Sequence, residues 1–268
     1  EEEHDIHNLQ AINEAMMGLR AGGKIKERQA RHIILFAKNQ TGLRNLYHLI
    51  SDANLKYFKR VPRIPKSQLL AHREGLIIGS ACENNEVFQA VISGKDDGEL
   101  ARLASFYDYL EIQPISNNRF MLEAKKEGEE PIAQSDDQLR DFNRKIVSLG
   151  EKLNKMVVAT GDVHFLNPED EIFRHILLAT KGFSDCDKPN PLYFRTTDEM
   201  LAEFAYLGEE KAREVVITNP NIITDMCDTV RPVPHNLFAP SIENSVEDLK
   251  SLVYGKLHRL YGENPPEL

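Results

Sequence analysis

From Arg31 onward, short runs rich in aliphatic and β-branched residues alternate with longer segments whose apolar positions recur every three or four residues. Strand period followed by helix period, repeated, is the pattern of a β/α architecture with mostly parallel strands. The predicted strands are His32–Ala37, Leu76–Ala81, Tyr109–Gln113 and Met156–Thr160, with helices near 42–51, 84–93, 98–106 and 136–153 between them. The last helix carries Leu139, Phe142, Ile146, Leu149 and Leu153 on one stripe and opens with Ser135 and Gln138 at capping spacing.

The flanks read differently. Residues 1–28 form an expected amphipathic helix, with Ile6, Leu9, Ile12, Met16 and Leu19 on one side, stopped by Gly22-Gly23. Glu123–Gln134 has no apolar period and is expected to be an exposed loop. Beyond His164 a helix over 169–180 is followed by a charged loop, Ser184–Pro191, and then by the capping pair Thr196 and Glu199. Helices are expected near 198–205, 208–218, 220–229 and 245–261, with no strand signal after Thr196, which predicts a C-terminal helical extension. Both ends look cut, since Pro265-Pro266 interrupts the final helix, and the chain is expected to be a fragment.

The sharpest chemical signal lies at the end of the fourth strand, Val157-Val158-Ala159-Thr160-Gly161-Asp162-Val163-His164. Residues two apart on extended backbone point to the same side, so Asp162 and His164 can address one metal, against the plain alternative of a turn-capping aspartate beside a half-buried histidine. A carboxylate with an imidazole suits Zn, Mn or Fe, and a neighbouring second site would allow phosphate-ester chemistry. Cys82 closes the second predicted strand and would share the barrel mouth with Asp162 and His164, whereas His32 opens its strand and fits that geometry less well. Taken singly, a cysteine there reads as a small apolar residue and a histidine as a hydrogen-bonded one.

Other candidates are weaker. Cys186 and Cys227 have no ligand partners at metal spacing, and His4 and His7, three apart, lack a third ligand. Lys56, Lys59, Arg60, Arg63 and Lys66 surround Tyr57 and Phe58 in a Pro-stiffened segment that reads either as a nucleic-acid contact or as a solvated loop anchored by its aromatics. No GxxxxGK[ST] phosphate loop, GxGxxG turn or nucleophile elbow is present in the sequence.

Composition narrows the picture. With 268 residues, 41% hydrophobic and 28% charged, the chain can bury a sizeable core as one large domain or two small ones. A formal net charge of −9 is the wrong sign for a surface that holds DNA chiefly by neutralising phosphates. Three dispersed cysteines argue against a disulfide framework and for a reducing compartment, so the cytoplasm is expected. No apolar run approaches the ~20 residues of a membrane span.

Six segments in order resemble one family. They are His32–Ser51, Tyr57–Ser67, Glu74–Cys82, Phe106–Glu111, Ala159–His164 and Phe194–Leu201, and together they look like the polymerase-and-histidinol-phosphatase (PHP) region of PolC-type bacterial DNA polymerase III. The resemblance implies an α/β fold that is part of a distorted (β/α)7 barrel, interrupted by an inserted 3′-5′ exonuclease. Residues 1–28 would then be the exonuclease tail and linker, 29–195 the later part of the barrel, and 196–268 a helical connection towards the polymerase palm.

It also implies that His32, Cys82, Asp162 and His164 occupy metal-ligand positions for a divalent ion, Zn or Mn, and it restores His32 despite its strand position. The family's early ligands, a His-x-His, a further histidine and a glutamate, belong upstream of this chain. Mg ions would serve the palm, whose acidic residues lie outside the chain, so no catalytic residue is expected here. Implied partners are the remaining polymerase and exonuclease domains and, through the parent, DNA, deoxynucleoside triphosphates and replisome subunits such as the sliding clamp, with no membrane. A different class, a PHP metal-dependent phosphoesterase acting on phosphodiesters or pyrophosphate, stays open. One departure is Asn85, where the family usually has glycine, a position expected to need φ > 0.

Overall fold

The computed structural model describes residues 30–123, 130–182, 188–233 and 235–263. The expected first helix, the His4/His7 pair, Cys186 and Pro265-Pro266 lie outside the described residues, as do the centre of the Glu123–Gln134 loop and the start of Ser184–Pro191.

The fold is mixed α/β. Four short strands, β1 (Ile34–Ala37), β2 (Leu76–Gly79), β3 (Tyr109–Ile112) and β4 (Met156–Ala159), form one sheet in sequence order. β2, β3 and β4 run parallel, whereas β1 is antiparallel to β2, with Ile34 opposite Gly79 and Ala37 opposite Leu76. The mostly parallel expectation therefore holds for two of the three pairings. Two helices, α1 (Gln40–Leu55) and α2 (Lys66–Ala71), separate β1 from β2. Gly75 comes against α1 so closely that a Cβ on Gly42 would stand 1.8 Å from its carbonyl oxygen, and Gly75 itself has φ +72.

The strands divide their side chains between two faces, as the pleat requires. Ile78, Leu110, Ile112 and Val157 face the main core with Leu49 of α1 and with residues of α3 (Glu86–Ile92), α4 (Asp97–Ala104) and α5 (Asp136–Lys152). Each such aliphatic side chain contributes roughly 1.5–3 kcal/mol by leaving water. The opposite face carries Ile77, Tyr109 and Val158, which pack with Ile223.

After α6 (Glu171–Thr180) the described elements are all helices, and an isolated bridge joins Tyr193 to Phe165, which precedes α6. α7 (Thr197–Glu203) starts with the expected box, Thr196 and Glu199 capping each other. α8 (Glu209–Arg213) widens into a π-turn over Glu214–Thr218 before α9 (Asn219–Asp225), where a continuous helix to 218 was expected. Pro220 explains this, because it offers no N–H and its ring crowds the carbonyl four residues back. Phe204, Ala212 and Val215 are buried in the main core.

The first compact unit runs to Val230 and the second from Arg231. Within the second, α10 (Ser245–Tyr261) has no buried residue.

Candidate metal centre

Strand reversal decides the site. Because β1 is antiparallel, its N-terminal end lies at the same edge of the sheet as the C-terminal ends of β2, β3 and β4. His32, just before β1, thus meets Cys82, just after β2, and its Nδ1 is 3.2 Å from the Cys82 Sγ. The strand position that counted against His32 is what brings it to the mouth.

Asn85 secures this pair. Its Nδ2 donates to the His32 carbonyl (2.9 Å) and to the Tyr107 hydroxyl (3.0 Å), and its Oδ1 accepts from Val87 N (2.7 Å) as the N-cap of α3. The expectation of positive φ there is wrong: Asn85 has φ −79 and is needed for its side chain. The left-handed residue of this turn is Ala81, at φ +59.

Asp162 and His164 form the second pair. Asp162 also takes a left-handed conformation, φ +49, which aspartate tolerates better than most residues. The His164 Nδ1–H donates to the Asp162 carbonyl (2.8 Å), and the Asp162 Oδ1 is 3.8 Å from the same nitrogen. With Nδ1 so used, Nε2 is the nitrogen left for a ligand. Asn117 Nδ2 holds the turn by donating to the Gly161 carbonyl (2.9 Å). His32, Asp162 and His164 are exposed, and Cys82 is half-buried.

Electrostatics link the pairs. Burial pushes the Cys82 thiol up to about 12, and the charges of Glu83 and Asp162 add to the shift against an opposing backbone hydrogen bond from Asn84. Glu111, at the inner end of β3, is buried, and burial raises its carboxyl above the ordinary range, with Asp162 adding to the effect. Sequence reading did not single out Glu111; the signal was an acidic residue inside the apolar run Tyr109-Leu110-Glu111-Ile112.

Imidazole, thiolate and carboxylate are a donor set that zinc accepts. His32 with Cys82, and Asp162 with His164, supply such donors as two pairs at one sheet edge. Among the described residues, no three His, Cys, Asp or Glu side chains gather around a single point. The fit is thus one of donor chemistry and of paired side chains, short of a closed site.

The cationic segment behaves otherwise. Lys66 pairs with Glu86 and stands over the Phe106 ring at 4.4 Å, and Lys56 pairs with Asp52 at 2.9 Å. Phe58 is 58% exposed, so it does not anchor the loop to the core. Cys227 is half-buried beside the Ile223 carbonyl, away from any ligand partner among the described residues. No helix among the described residues is long and apolar enough to cross a membrane.

Residues 4–127 match the PHP domain family model. The chain is homologous over its whole length to DNA polymerase III PolC-type proteins, as the six segments implied. It is 51% identical over 267 residues to the one from Clostridium perfringens and 49% identical over 267 residues to the one from Caldanaerobacter subterraneus subsp. tengcongensis, covering 100% of this chain in both. The Bacillus subtilis protein is 45% identical over 240 residues, 88% of this chain. The chain spans about 18% of the length of the first two relatives and 16% of the third.

Proposed function

We propose that this chain is the metal-binding PHP scaffold segment of a PolC-type replicative DNA polymerase, without the polymerase active site. In this reading residues 29–195 form the later part of a distorted (β/α)7 barrel, residues 1–28 are the tail of an inserted exonuclease with its linker, and residues 196–268 lead towards the palm. The parent acts in the cytoplasm on DNA and deoxynucleoside triphosphates, with Mg in the palm and with replisome subunits such as the sliding clamp.

The observation that carries the metal reading is the 3.2 Å approach of His32 Nδ1 to Cys82 Sγ across an antiparallel strand pair, at the edge that also bears Asp162 and His164. Full-length similarity to PolC-type polymerases supports the assignment of the parent. His32, Cys82, Asp162 and His164 would hold a divalent ion, Zn or Mn, which when bound supplies a Lewis acid and a fixed positive charge. Asn85 and Asn117 hold the backbones that carry these side chains, and the His164 Nδ1–H bond leaves Nε2 as the nitrogen that would bind the ion.

The test is metal content by mass spectrometry after dialysis, beside a chain carrying Asp162→Ala and His164→Ala. Retained Zn or Mn that disappears in the double variant is the expected result. Equal metal in both chains, or none in either, overturns the ligand assignment.

A further inference from the structure

Two residues of the candidate centre have the same neighbour. Ser80 lies two positions before Cys82, and its Oγ accepts from the backbone N–H of Glu111 at 2.9 Å. Thr160 lies two positions before Asp162, and its Oγ1 donates to the Glu111 Oε1 at 2.7 Å. One residue of β3 is thereby tied to the strand ends that carry Cys82 and Asp162. Gln113 Nε2 adds a longer bond to the same Oε1, at 3.3 Å.

The chemistry of Glu111 is out of proportion to a structural tie. Its residue is only 5% exposed, and no Lys or Arg pairs with it among the described residues. A buried carboxylate without a cation is costly, and a glutamine would accept from Thr160 without that cost. A positive ion held at those strand ends would offset the cost, and Asp162 contributes negative charge to the same surroundings.

We propose that Glu111 is a positioning residue of the metal centre, joining the Cys82 and Asp162 strand ends through Ser80 and Thr160 and adding its negative charge beside them. The inference rests on the metal reading above. It assigns Glu111 no direct bond to the metal. Its role is to orient the turns that carry the ligands and to favour a cation there over an empty mouth.

Calorimetric titration of the full chain with Mn or Zn, beside thermal melting of the metal-free chain, tests it. Glu111→Gln keeps the shape and the acceptor for Thr160, so metal-free Tm is expected to stay level or rise while metal affinity falls 10–100-fold. Thr160→Val removes the link without touching the charge and is expected to weaken metal at least 10-fold, which keeps the test usable should the Gln variant fold poorly. Affinity within twofold of the parent chain in the folded variants overturns the role of Glu111. Should that result coincide with loss of metal in the Asp162→Ala, His164→Ala chain, the metal centre stands and only Glu111 falls. A parent chain that binds no metal overturns both.

Discussion

The two halves of the candidate centre are built on opposite plans. Asp162 and His164, both exposed to solvent, are two apart on one turn and held by bonds within it and by the buried Asn117. His32 and Cys82 are 50 residues apart, on different strands, and joined only because β1 runs against β2. The first pair is a property of local sequence; the second is a property of topology. The local pair should tolerate insults to its surroundings, and the topological pair should depend on whatever fastens the β1 and β2 ends together.

The largest effect is expected where that fastening is concentrated. Asn85→Ala removes the α3 cap and the donors to the His32 carbonyl and the buried Tyr107 hydroxyl, which together cost about 3 kcal/mol. Urea unfolding measures the loss, and the His32 ring resonances should shift while those of His164 stay in place. Equal disturbance of both rings would mean that the two pairs are one unit and would break the comparison.

On the other side, Asn117→Ala removes a single bond to the Gly161 carbonyl, from a residue whose Oδ1 is buried without a partner among the described residues. About 1 kcal/mol is expected, because one hydrogen bond is lost and one unpaired acceptor goes with it. Hydrogen exchange should quicken at Val163 and His164 and stay unchanged at Glu83 and Asn84. A loss as large as that of Asn85→Ala would show that the Asp162 turn is no more self-sufficient than the His32 pair.

What the sequence disclosed follows the same division. Strands within two residues of those observed, the α5 stripe capped by Ser135 and the Thr196–Glu199 box were all readable, since period and capping are local. So was the Asp-x-His motif. The direction of β1 was not readable, because nothing in Ile34–Ala37 records which way its neighbour runs, and His32 was underrated on spacing for that reason. α2 escaped notice at six residues, too short to show a period. Asn85 was read through its backbone when its side chain was the active part, and Glu111 was hidden in an apolar strand whose bonding partners are 31 and 49 residues away.

The smallest expected effect is the most discriminating about the turns themselves. Both carry a left-handed residue just before or at a ligand, Ala81 at φ +59 and Asp162 at φ +49, but only aspartate has a side chain suited to it. Ala81→Gly relieves about 1–2 kcal/mol of steric cost, loses about 0.8 kcal/mol from a buried methyl, and frees the unfolded chain by about 0.4–1 kcal/mol. These contributions nearly cancel, so denaturant unfolding should register a change within about 0.5 kcal/mol. A gain above about 1 kcal/mol would mean that the Cys82 turn is held under strain by its surroundings, as a topology-built site requires. A loss of that size would mean that the Ala81 methyl, 5% exposed, is itself what packs the turn in place, and the His32–Cys82 pair would then be as locally determined as its neighbour.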